Sequence, residues 1–130
     1  MRILQPPEWA KPRGYSNGVA ASGQIIFISG QIGWDTECKF QTAEFVGQAR
    51  QALLNIVAIL AEAGGKPEHI TRLTWYVVDK NEYLDCGKLL GAVYREVIGN
   101  HYPAMSAVQV TALIEDAARV EIEATAVIPV

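Results

Sequence analysis

Between Thr42 and Ala63 the chain carries a single apolar stripe, in which Phe45, Ala49, Leu53, Ile56, Leu60 and Ala63 recur at spacings of three and four. That period belongs to an α-helix with one buried face, and such a face requires a second layer to cover it. Gly64-Gly65 ends the helix, with Pro67 just beyond. The next run, Ile70 to Asp79, is β-branched and aromatic and reads as a strand. Asp79 with Glu82 three residues later resembles a capping box that opens a second helix through about Ile98. The stripe of that helix is Tyr83, Leu90, Val93, Tyr94 and Val97, and Gly99-Asn100 follows it.

Strands fill the remainder. Pro6, Pro7 and Pro12 make the segment from Gln5 to Gly14 an extended arm. A turn at Ser16-Asn17-Gly18 leads into a short strand near Val19 to Ala21, and Gln24 to Gly33 forms a longer one. Within it, Gly30 and Gly33 indicate a bulge or a close approach to the backbone. Two final strands fall near Ala104 to Thr111 and Arg119 to Ile128. The order β-β-α-β-α-β-β predicts one α+β domain over residues 1–130, a mixed β-sheet with two helices packed on one face. No repeat, linker or low-complexity segment divides it.

Charge narrows the function. The chain has 11 basic and 14 acidic residues, a net charge of -3, and its lysines and arginines form no run. Nucleic-acid binding rests on clustered cations, so it is not expected here. Cys38 and Cys86 belong to no C-x-x-C pair and read as ordinary thiols in a reducing compartment, with reactivity as the alternative. The N-terminus lacks the apolar core of a signal peptide, and no stretch approaches the ~20 apolar residues of a membrane span. The expectation is a cytoplasmic protein with no membrane partner.

Alternation sorts the strand faces. On the last strand Val120, Ile122, Ala124 and Ala126 point one way, towards the helices, and Arg119, Glu121, Glu123 and Thr125 the other. If the last two strands pair, Met105, Ala107 and Gln109 share the helix-free face with Glu121 and Glu123. Arg72, Thr74, Tyr76 and Val78 make a similarly mixed row. A face so mixed is expected to be covered by another subunit; the alternative is a set of solvated acids.

No phosphate loop, dinucleotide fingerprint, nucleophile elbow or metal-ligand spacing occurs. His69 and His101 stand alone and read as loop or surface residues, so no metal is expected. Glu121 has two readings: a carboxylate that orients water or moves a proton, or a structural partner of a cation or backbone donor. Trp34, after the glycine-flanked strand, either lines a pocket or joins a satellite cluster. Trp9 and Trp75 read as packing residues.

Several stretches taken together resemble the Rid family, the YjgF/YER057c/UK114 proteins also known as L-PSP endoribonucleases. They are "GYSNGV" (Gly14 to Val19), "IFISGQIG" (Ile26 to Gly33), "QARQALLNIVAILAEAG" (Gln48 to Gly64), "YPAMSAVQV" (Tyr102 to Val110) and "VEIEATAV" (Val120 to Val127). The resemblance implies a chorismate-mutase-like α+β fold, a homotrimer and a small-molecule cleft between neighbouring subunits. It also implies hydrolysis of reactive enamines and imines without metal or organic cofactor. Carried over by position, Tyr15 reaches into the cleft, the backbone of Ser29, Gly30 and Gln31 borders the ligand, and Glu121 positions the attacking water. Met105, Ser106 and Ala107 belong to the ligand-binding strand.

Position 105 departs from the family pattern, which has arginine there to grip the substrate carboxylate. A thioether cannot neutralise an anion. Losing a desolvated arginine–carboxylate contact costs roughly 2–5 kcal/mol. The sequence therefore predicts a Rid-like deaminase or hydrolase for a C=N compound other than the usual small 2-imino acid. The alternative is a non-catalytic module that holds a small metabolite. Arg13, Arg50 and Arg119 are the candidate replacement cations, Arg119 because it would share the side of Glu121.

Overall fold

The computed structural model describes all of residues 1–130 and contains six strands and three α-helices. β1 (Arg2–Leu4) and β2 (Gly18–Ala20) form a small antiparallel ladder. It uses residues ahead of Pro6 and Pro7, so the prolines, which cannot donate to a ladder, stay outside it. The main sheet comprises β3 (Gln24–Ile32), β4 (Ile70–Val77), β5 (Ala104–Gln109) and β6 (Val120–Ile128), in the order β3-β6-β4-β5. β6 runs antiparallel to both neighbours, whereas β4 and β5 are parallel.

Two expectations are corrected by this architecture. The last two strands do not pair with each other, because β4 lies between them. The connection from β4 to β5 is helical, and a helical crossover returns the chain to a parallel strand beside the first. The second helix is in fact two: α2 (Lys80–Asp85) and α3 (Gly87–Val97), separated at Cys86. Asp79 caps α2 by accepting the Asn81 N–H at 2.9 Å. Glu82 does not turn back to complete a capping box; it pairs with Arg119 at 2.8 Å.

α1 (Phe45–Glu62) follows the predicted stripe as far as Leu60, and Ala63 is its exposed C-cap. Gly64, at φ +79°, adopts the left-handed conformation that ends helices, and the N–H groups of Gly64 and Gly65 return to Ala61 and Leu60. Leu53, Ile56 and Leu60 of α1 are fully buried with Leu73 of β4 and Val120 and Ile122 of β6. Each such side chain contributes roughly 1.5–3 kcal/mol through burial. Gln48 is buried among them with its hydrogen bonds complete: its amide donates to the carbonyls of Thr42 and Ala117, and its Oε1 accepts from Arg119 N–H.

The opposite sheet face carries no helix. Ile25 and Phe27 of β3 project from it beside Arg72, Tyr76, Glu121, Glu123 and Thr125. Phe27 is 80% exposed, a large apolar area for one side chain to leave in water. No helix is long and apolar enough to cross a membrane.

Candidate functional site

On the helix-free face the β3–β6 register slips between Ile28 and Gln31, so Ser29 and Gly30 form a bulge. Glu121 fills the space this opens. A Cβ added to Gly30 would land on its carboxylate, with Cδ only 2.7 Å away. The close approach expected at Gly30 is therefore made by Glu121, and the one at Gly33 by the Cα and Cβ of Gln48 in α1. Glu123, two residues along, is occupied: Tyr76 Oη donates to it at 2.7 Å. That bond to an anion holds the Tyr76 phenol above its ordinary value. Glu121 is half-buried and has neither a cation nor a hydrogen-bond donor as partner. Of its two readings, the structural pairing is absent. Ser29 and Gln31 are close by, and the Gln31 amide donates to Ser29 O at 3.1 Å.

Met105 lies elsewhere. β5 takes its register from β4, with Leu73 opposite Met105, Trp75 opposite Ala107 and Val77 opposite Gln109. Leu73, Trp75 and Val77 are core residues, so Met105, Ala107 and Gln109 lie on the helix side of the sheet. Ser106 and Val108 sit across from Thr74 and Tyr76 and share the face of Glu121. The expected assignment is thus reversed for this strand. Alternation was read correctly, but parity depends on which strand is the neighbour.

Met105 instead helps to line a pocket of about 360 Å³ between β5 and the helices, walled by Trp75, Tyr83, Leu90, Tyr94 and Tyr102. Tyr94 and Tyr102 stack with ring centres 5.4 Å apart, and Tyr94 Oη donates to His101 O at 2.6 Å. Burial pushes the Tyr94 phenol strongly upward. His101 is fixed in turn, its Nε2 lying 2.6 Å from Ile70 O. Gly14 also borders the pocket. Tyr15, next to it, is partly exposed beside the start of β5, where Ser16 N–H donates to Pro103 O at 3.0 Å.

Trp34 belongs to neither group. It bridges to Phe40, with ring centres 5.9 Å apart, and its carbonyl accepts from Asn55 at 3.0 Å. Of the candidate cations, Arg50 is tied to Glu96 at 2.7 Å and Arg119 to Glu82. Arg119 therefore turns to α2 and not to Glu121, which corrects the expectation that the two share a side. Arg13 is exposed. One pocket residue escaped the sequence reading: Arg95 of α3. Its signal was the spacing Gly87, Gly91, Arg95, a stripe of small residues ending in a cation.

Residues 8–128 match the family model described as endoribonuclease L-PSP. A RutC family protein from Synechocystis is 34% identical over 99% of this chain and 98% of its own. The 2-iminobutanoate/2-iminopropanoate deaminase of Escherichia coli is 36% identical over 81% of this chain and 80% of its own. Among solved structures, a Rid family protein from Yersinia pestis superposes with a TM-score of 0.82 at 31% identity, covering 98% of both chains. Escherichia coli TdcF with bound serine gives 0.71 at 29% identity over 98% of this chain and 99% of that one. The mixed sheet with its helices on one face is the chorismate-mutase-like fold of these neighbours. The chain belongs to the Rid/YjgF family of endoribonuclease L-PSP-like proteins.

Proposed function

We propose that the protein hydrolyses a reactive imine or enamine, with Glu121 orienting the attacking water. The observation that carries this reading is the unpaired carboxylate of Glu121, half-buried against the Gly30 bulge. A carboxylate so placed has free acceptors for a water proton. Water adds to the C=N carbon with one of its protons passing to nitrogen, and the new hydroxyl then gives up its proton to the same nitrogen as the C–N bond breaks. The products are a carbonyl compound and ammonia. Imines are reactive enough for modest positioning to suffice.

Within one chain the Glu121 group and the Met105 pocket lie on opposite sides of the sheet. The site is therefore completed between subunits of a homotrimer, the bulge of one meeting the α3–β5 pocket of the next. Exposed Phe27 on the bulge face supports such a contact. Tyr15, Ser29, Gly30, Gln31 and Ser106 border the same cleft, with Met105 and Ala107 on the pocket side. Because Met105 stands where the family resemblance implies a carboxylate-gripping arginine, the proposed substrate is not the usual small 2-imino acid.

A second reading, a binding protein without turnover, is favoured by the apolar walls of the pocket. A coupled assay separates the two. An amino-acid oxidase generates 2-imino acids, and their hydrolysis is followed for wild type, Met105→Arg and Glu121→Ala. The hydrolase reading predicts turnover of bulky imines by wild type and its loss in Glu121→Ala. Unchanged turnover in Glu121→Ala sinks the role of Glu121. No turnover of any imine, alongside ligand-induced thermal stabilisation, establishes the binding protein.

A further inference from the structure

α3 presents Gly87, Gly91 and Arg95 at intervals of four, which places them on one face of the helix, and all three border the pocket. A side chain at Gly87 would meet nothing within 4 Å, and one at Gly91 would meet only Arg95 Nη1, at 3.4 Å. The guanidinium therefore lies back along a groove that the glycines leave open, the direction in which helical side chains lean. Gly91, inside α3, lowers the helix's intrinsic stability, a cost of keeping the groove open.

Arg95 is exposed and has no partner within the chain. Arg50 and Arg119 each hold a carboxylate, whereas Arg95 has neither an ion-pair partner nor a hydrogen-bond acceptor. A second group in the same wall is also unpartnered. Trp75 is 2% exposed, and its indole N–H is buried without an acceptor. With no surface open to the cavity, that N–H reflects tight packing of the wall and not a ligand contact. A volume of about 360 Å³ with four aromatic walls suits one ring and a short polar tail.

We propose that Arg95 is a specificity-determining residue that grips the carboxylate of an amphipathic anion while the ligand's aryl or branched hydrocarbon body fills the Trp75–Tyr83–Leu90–Met105 pocket. This names the substrate class of the imine hydrolase proposed above, the bulky apolar 2-imino acids, and rests on that reading only for turnover. Arginine offers the carboxylate two parallel N–H donors, and from its exposed position at the pocket rim Arg95 meets the polar end of a ligand whose body lies against the apolar walls. Met105 is then a packing surface for the hydrocarbon body, which a second arginine would obstruct.

The test is equilibrium binding of three stable ketones to the full chain in its native assembly. Phenylpyruvate carries both ring and carboxylate, benzyl methyl ketone lacks the carboxylate, and pyruvate lacks the ring. Wild type is expected to bind phenylpyruvate at least tenfold more tightly than either of the others. Arg95→Gln should lose that advantage over benzyl methyl ketone while binding benzyl methyl ketone unchanged, and Arg95→Lys should retain part of it. The thermal midpoint should not move, because Arg95 makes no contact that stabilises the fold. Phenylpyruvate affinity within twofold of wild type in Arg95→Gln overturns the proposal, as does an equal loss for both ring-bearing ketones or no binding of any probe. Binding that depends on Arg95 without imine turnover would refute the hydrolase and leave the anchor standing; turnover with Arg95→Gln indistinguishable from wild type would do the reverse.

Discussion

The two faces of the sheet solve opposite problems. Beneath the helices Leu53, Ile56, Leu60, Leu73, Val120 and Ile122 are sealed from water, and even Gln48 has every hydrogen bond made. On the far face Phe27 stands 80% exposed, Glu121 lacks a partner and Gly30 keeps its place only by having no side chain. The first face is finished within the chain. The second is left open by the chain, and the residues proposed for the chemistry gather there. The α3–β5 pocket is the same kind of place at the sheet edge, with the unpaired Arg95 at the rim of a largely apolar wall.

Substitutions should separate the two faces by size of effect. Ile122→Ala, on the sealed face, is expected to cost about 2–5 kcal/mol in urea unfolding, since a cavity there cannot collapse. A cost below 1 kcal/mol would mean the core is looser than its burial indicates. Phe27→Asp, on the open face, should leave secondary structure intact and dissociate the assembly, seen as a fall in sedimentation coefficient. An undisturbed assembly would show that the face is covered in another way.

Smaller changes sharpen the contrast. Gly30→Ala drives a methyl group into the place of the Glu121 carboxylate, which must swing aside. Imine turnover should fall at least tenfold with the fold retained, and preserved turnover would detach Glu121 from the chemistry. On the sealed side, burial raises the Tyr94 phenol above its ordinary 10.0. The folded state then keeps that proton longer than the unfolded chain, so stability is full below pH 10 and declines as pH rises beyond it. Tyr76 and Tyr83 shift in the same direction. Tyr94→Phe should flatten the alkaline decline of the thermal midpoint, and it removes a hydrogen bond worth about 1 kcal/mol. An unaltered alkaline slope would assign the decline to other groups.

Much of the fold was legible because its signals are local. The α1 stripe, the Gly64-Gly65 stop, the Asp79 cap and the in–out alternation of β6 all depend on near neighbours in sequence, and each is found where expected. The β4–β5 pairing is long-range, set by the handedness and position of the crossover, and no local pattern in β5 reveals it. One missed neighbour turned Met105 from the open face to the helix side. Arg119 was misplaced for a related reason: its partner Glu82 lies 37 residues away in sequence. Arg95 carries no local signal of its own, because the apolar stripe of its helix lies on other residues and only the glycine spacing beside it marks the groove.

The account's central claim is that the bulge and the pocket form one site only between subunits. Sedimentation equilibrium of the wild-type protein at micromolar concentration tests it most directly. The account predicts a trimer, three times the 14.2 kDa chain mass. A stable monomer would contradict it, because Glu121 and the Arg95 pocket would then never face the same ligand.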